Sequence, residues 1–163
     1  MKYIFTDIDG VLNNANSREE KNTPCCIDGD NLHVFAEFVR WCHEKFGEDN
    51  VRIVLTASWR KSGLKDECAR KVLDEYIENQ EGLKIDDETE HGADGRGLEI
   101  IRYLNKKNDC TGYVVLDDVL YTDFKPLRIT SHLVQTADEP QNGRGGLRDR
   151  HLKRAKEIIE RAI

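Results

Sequence analysis

The chain has 163 residues and a formal net charge of −6, with a pI near 5.4 and a mean hydropathy of −0.67. That length suits a single domain over residues 1–163, and 38% hydrophobic against 34% charged residues is a soluble globular balance rather than a disordered one. The acidic balance argues against a generic polyanion-binding surface, which needs clustered Lys and Arg, and leaves room only for a local basic patch.

In chain order, Met1 and Lys2 lead into the apolar run Tyr3, Ile4 and Phe5, which is too short for a signal peptide and is broken by Asp7 and Asp9. Residues 3–8 therefore read as a buried strand ending in acidic residues. Phe35, Phe38, Val39, Cys42 and Phe46 recur at helical spacing and predict an amphipathic helix over about 30–46, stopped by Gly47. Residues 51–55 are a second buried strand. Leu64, Cys68, Val72 and Ile77 predict a helix over about 62–79, and the acidic, Gly-containing stretch 80–95 reads as a mobile loop. A further helix starts between Asp94 and Arg96 and turns Leu98, Ile101 and Leu104 inward. The strand 112–116 follows, ending at Asp117 and Asp118. Residues 132–135 form one more short strand, and Leu152, Ala155, Ile158, Ile159 and Ala162 mark a terminal amphipathic helix.

No stretch approaches a membrane span. The five cysteines are odd in number and lack Cys-x-x-Cys spacing, so neither a disulfide framework nor a zinc site is expected, and a reducing cytoplasm is the natural setting. Strand alternating with helix predicts an α/β fold: a three-layer, Rossmann-like, doubly wound and mainly parallel sheet that binds ligands beyond the carboxyl ends of its strands.

Polar residues with chemical potential collect at those strand ends. Asp7 and Asp9 stand two residues apart where the first strand gives way to Gly10, a spacing that suits two linked tasks. One carboxylate can attack phosphorus, while the other donates a proton to the leaving group and then activates water. Two close anions call for a cation. Oxygen ligation by one or two carboxylates, completed by water and substrate phosphate, is how magnesium is held, and Asp117 or Asp118 supplies the missing ligand.

The run from Asp7 to Leu12 resembles the first motif of the haloacid dehalogenase (HAD) superfamily, Asp-x-Asp followed by Gly-x-Leu. The resemblance extends over roughly residues 3–136 and rests on further motifs arriving in the same order. It implies a magnesium-dependent phosphatase with Asp7 as nucleophile and Asp9 as general acid/base, whose backbone carbonyl also binds the metal. Thr56, ending the second strand, matches the motif whose hydroxyl binds the transferring phosphoryl group, with Ser58 a weaker choice. Arg96 matches the basic third motif, where Lys61, Lys65 or Arg60 are substitutes. Asp117 and Asp118 match the acidic pair, with Asp117 as the direct ligand and Asp118 holding a metal-bound water.

A narrower similarity, carried by residues 56–60, by 96–100 and by the Gly-rich segment 143–146 before the last helix, is to the small HAD domains of RNA-repair proteins. It implies a phosphomonoesterase acting on nucleic acid ends or nucleotides. Arg144, Arg148 and Arg150 then either contact a phosphate beyond the scissile one or form a solvated basic loop, Arg60 is a further substrate contact, and Trp59 packs against the sheet edge, with stacking on a base as the alternative. Neither residues 10–30 nor 57–95 are long enough for a cap domain, so an open, capless site is expected. A small-molecule phosphatase lidded by a neighbouring subunit is the first rival, and the oligomeric state is left open. A non-catalytic receiver-like or binding module is the second, but its acidic pair would precede the Thr, and all groups needed for catalysis are present here.

Overall fold

The computed structural model describes residues 1–56, 67–92, 94–137 and 145–163. Its elements are β1 (Lys2–Thr6), α1 (Ala15–Glu20), α2 (Gly29–Phe46), β2 (Val51–Leu55), α3 (Glu67–Glu81), β3 (Asp87–Glu88), α4 (Arg96–Lys107), β4 (Gly112–Asp117), β5 (Leu133–Gln135) and α5 (Asp149–Glu160), with short 3-10 turns between some of them. The five strands pair in the order β3-β2-β1-β4-β5, and each pairing is parallel. The expected α/β, Rossmann-like arrangement is the one found.

Period-2 alternation splits the strand residues between two cores. Ile4, Ile53, Leu55, Val114 and Leu116 face the side covered by α2, α3 and α5. Tyr3, Phe5, Val54, Tyr113 and Val115 face the other side, where Ile100 and Tyr103 of α4 pack with Phe124 and Ile129. On that side the rings of Tyr3 and Phe5 each meet Tyr103 edge-on, with centroids 5.6 Å apart.

The chain winds outward from β1 to β2 and β3, then returns through α4 to place β4 on the other flank of β1. The seam between β1 and β4 is thus the switch point of the sheet, the place beyond the strand ends where open α/β sheets bind their ligands.

Several elements differ from the sequence expectation. The stretch read as a loop over 80–95 holds β3, which Asp87 and Glu88 form by pairing with Val54 and Leu55; neither residue favours a strand, so the pairing comes from β2. In α3 the inward residues are Leu73 and Ile77, while Val72 is exposed. In α4 the buried large apolar residues are Ile100 and Tyr103, and Leu98, Ile101 and Leu104 are half-buried at the margin. Adjacent apolar residues left the helix phase ambiguous, and the sheet selected the other member of each pair. The terminal helix ends at Glu160, leaving Ala162 beyond it. Ser58, Trp59, Arg60, Lys61, Leu64, Lys65 and Arg144 lie outside the described residues. Among the described residues no helix is long and apolar enough to cross a membrane.

Candidate active site

The strand ladder carries Asp7 into the β1/β4 seam, because its N–H donates to Leu116 O at 3.0 Å, one residue past the end of β1. Asp7 is buried, and its Oδ1 accepts the Ile8 N–H at 2.7 Å. The chain then turns sharply: the N–H groups of Val11, Leu12 and Asn13 all converge on Ile8 O, at 3.1, 2.9 and 3.2 Å. Gly10 serves the turn with φ +72°, and a Cβ there would stand 2.5 Å from the Asp118 carboxyl. A side chain at position 10 would therefore displace one of the acidic residues.

Thr56 follows β2 and is held by its N–H donating to Thr6 O at 2.9 Å. It is wholly buried, and its Oγ1 has no hydrogen-bond partner among the described residues. A buried hydroxyl normally finds a partner, so this one has a hydrogen bond still to give beyond the described residues.

Arg96 opens α4 and points back toward the seam. Its guanidinium donates to the Thr56 carbonyl and, at 3.3 Å, to the Tyr121 hydroxyl, and it lies over the Tyr121 ring at 5.2 Å. From there Nη2 is 3.7 Å from Asp7 Oδ2 and Nη1 is 4.0 Å from Asp117 Oδ2.

Asp117 ends β4, wholly buried. Its Oδ1 accepts the Val119 N–H at 2.9 Å, while Oδ2 has no hydrogen-bond partner among the described residues. Carboxylate oxygens of Asp7, Asp117 and Asp118 lie within 4.8 Å of one another. Burial pushes the Asp117 carboxyl up to about 7, with Asp7 adding to the effect. Burial likewise raises that of Asp7, against the opposing pull of Arg96 and the Ile8 N–H. Burial works against the Arg96 charge, yet Asp7 and Asp117 more than offset it. Three carboxylates thus crowd one site in which Arg96 alone does not hold them all ionised, and one oxygen of Asp117, though facing Arg96, takes no hydrogen bond from the described residues. That donor set fits a hard divalent cation bound by oxygen, as magnesium is.

The structure therefore gathers Asp7, Thr56, Arg96, Asp117 and Asp118. Asp9 stands outside the three-carboxylate cluster, though near enough for its charge to raise Asp7, and its Oδ1 accepts from Asn13 Nδ2 at 2.8 Å. Arg148 stands at the start of α5, where Nε donates to Gly145 O at 3.1 Å and Nη1 is 3.9 Å from Asp30. The segment leading to it nevertheless runs beside the first motif, since Leu147 N donates to Val11 O at 2.8 Å.

Three contributors escaped the sequence reading. Asn13 fastens Asp9, and Tyr121 fastens Arg96. Asp123 accepts the N–H groups of Gly97 and Leu98 at 2.8 and 3.2 Å, supplying the cap that Gly95 has no side chain to give α4. Its approach is close enough that a Cβ on Gly97 would stand 2.9 Å from the Asp123 carboxyl. The available signal was another Asp shortly after the acidic pair.

The family described as "HAD domain in Swiss Army Knife RNA repair proteins" matches residues 3–158. No curated protein and no solved structure shows a significant match.

Proposed function

The chain belongs to that family of HAD domains in Swiss Army Knife RNA repair proteins, and on this footing we propose that it is a magnesium-dependent phosphomonoesterase working through a phosphoryl group carried on Asp7. The observation that carries the reading is the convergence, beyond the ends of β2, β1 and β4, of the buried Asp7 carboxylate, the Arg96 guanidinium and the Asp117–Asp118 pair, with Thr56 tied to Arg96 through its carbonyl and its hydroxyl unpartnered among the described residues.

Asp7 attacks phosphorus through a carboxylate oxygen. The phosphorus–ester oxygen bond breaks, its electron pair goes to the leaving oxygen, and the proton held by Asp9 completes the released alcohol. Water then attacks the phosphorus of the aspartyl-phosphate, giving its proton to Asp9, and the phosphorus–Asp7 bond breaks to regenerate the carboxylate. The Thr56 hydroxyl donates to one phosphoryl oxygen and Arg96 neutralises others, placed beforehand so that little reorganisation is needed as charge shifts. Asp7, Asp117 and Asp118 would hold magnesium, with the Asp9 carbonyl as a further ligand, and the bound ion would supply charge neutralisation at the phosphoryl oxygens.

The substrates that suit this site are phosphorylated ends of nucleic acids or nucleotides. Val119 and Leu120, 42% and 51% exposed directly after the acidic pair, offer an apolar lip for a base. Arg60, Arg144, Arg148 and Arg150 are the candidates for contacts to phosphates further along. The test is a release assay on 3′- and 5′-phosphorylated oligonucleotides, mononucleotides and sugar phosphates, with and without magnesium. Oligonucleotide phosphates are expected to lead in kcat/KM. Preference for mononucleotides or sugar phosphates would favour a small-molecule enzyme, and inactivity toward every monoester would overturn the reading.

A further inference from the structure

Asn13 is wholly buried just beyond the sharp turn that follows Asp7. A side-chain amide offers two donors and two acceptor sites, and here all are used. Oδ1 accepts the Gly10 N–H and Arg18 Nη1, each at 3.0 Å. Nδ2 donates to Asp9 Oδ1 at 2.8 Å and to Cys25 O at 3.1 Å. Turning the amide over would set its NH2 against two donors and its oxygen against two acceptors, so the four partners fix its orientation.

The amide is itself held from the α1 side. Asn14 caps α1 through the Ser17 N–H at 3.1 Å and donates to Asn31 of α2 at 2.9 Å. That anchoring delivers Arg18, on α1, to Asn13. A continuous chain then runs from α2 through α1 and Arg18 to Asn13 and ends on one oxygen of Asp9.

We infer that Asn13 is a positioning residue: it presents the Asp9 carboxyl to the leaving oxygen and afterwards to the attacking water, with Arg18 holding the amide in place. This rests on the role proposed for Asp9. Packing alone would ask for an apolar side chain at a wholly buried position. Closing the Gly10 turn alone would ask only for the acceptor Oδ1. One hydrogen of the donor side ties down the Cys25 carbonyl; the other, aimed at Asp9, is the part neither explains.

Leaving-group dependence separates positioning from simple support of the fold. Leaving-group protonation matters little for p-nitrophenyl phosphate and greatly for an alkyl phosphate, whereas hydrolysis of the aspartyl-phosphate needs Asp9 with either substrate. Misplacing Asp9 thus slows both steps for the alkyl ester but only the second for the aryl ester. In Asn13→Ala, kcat for an alkyl phosphate is expected to fall roughly 100-fold, within the range for a positioned acid/base, with KM little changed. The aryl ester should lose less, and p-nitrophenolate should appear in a pre-steady-state burst matching the enzyme concentration.

Asn13→Asp keeps the shape of the side chain and the acceptor facing Gly10 N and Arg18 while replacing the NH2 that serves Asp9 and Cys25 O with a carboxylate oxygen. It should give the same pattern and covers the case in which Asn13→Ala does not fold. Equal losses for both esters without a burst, or wild-type kinetics in a folded Asn13→Asp, overturn the inference. Wild-type inactivity toward every monoester, or an Asp9→Asn variant with full turnover, would instead overturn the proposed function beneath it.

Discussion

Asp117→Asn removes one of three crowded carboxylates while keeping the shape of the side chain and the acceptor for Val119 N–H. Burial and the neighbouring Asp7 lift the Asp117 carboxyl from its ordinary 3.8 to about 7. An unfolded chain thus ionises Asp117 more readily than the folded one, and without metal this residue's contribution to stability is fully present below the unfolded value and lost as pH rises through about 7. Each unit of difference is worth about 1.4 kcal/mol, so the full displacement corresponds to roughly 4 kcal/mol. Asp7 shares the repulsion and Arg96 loses a partner, so the single replacement should recover about 2 kcal/mol. For a chain of this size that is a rise of about 4–8 °C in Tm.

Thermal unfolding of the metal-free protein, followed by calorimetry across the range from about pH 4 to pH 8, measures it. The variant should melt above the wild type near pH 8, with the gap closing toward pH 4. Magnesium should raise the wild-type Tm near pH 8 and shift the variant far less, since ligand binding stabilises only the state that binds it. A variant that melts at or below the wild type near pH 8, or one that keeps the full magnesium shift, would refute the reasoning.

Asp7→Asn should lose at least about 1000-fold in turnover while its circular dichroism and melting cooperativity remain those of a folded protein, because an amide cannot act as the nucleophile. Arg96→Ala should cost roughly 100–1000-fold in kcat, as removal of one preorganised donor does, and Arg96→Lys should recover part of it. Asp123→Ala should destabilise the fold by about 1–2 kcal/mol through loss of the α4 cap, read by denaturant titration, with kcat falling because Arg96 sits in the released first turn. Neutralising Arg144, Arg148 and Arg150 together should erase most of the preference for oligonucleotide over mononucleotide phosphates and flatten its salt dependence, while p-nitrophenyl phosphate is cleaved almost normally.

The parts of this site legible in the sequence are those where a buried strand runs out. Phe5, Leu55 and Leu116 each lead to a polar residue within two positions, and Asp7, Thr56 and Asp117 inherit their placement from the sheet register. Arg96 was legible as the first residue of a helix. Asn13 and Asp123 were not, because what defines them is tertiary: Asp123 acquires its role from the N–H groups of Gly97 and Leu98, far back in the chain, and Asn13 from Arg18 and the carbonyl of Cys25. Asp87 and Glu88 have poor strand propensity and extend only because β2 presents an open edge. The phase errors in α3 and α4 have a similar origin, since Val72 with Leu73 and Ile100 with Ile101 fit a helical period equally well until the sheet and its opposing residues choose one of each.

The central claim is that turnover passes through a covalent phosphoryl group on Asp7. Borohydride reduction of protein quenched during turnover converts an aspartyl-phosphate to homoserine, which peptide mass spectrometry locates in the sequence. With magnesium and an oligonucleotide phosphate, the change is predicted at position 7 and nowhere else, and it should vanish without magnesium. A reduced residue at another position, or steady magnesium-dependent turnover in which Asp7 is never modified, would contradict it.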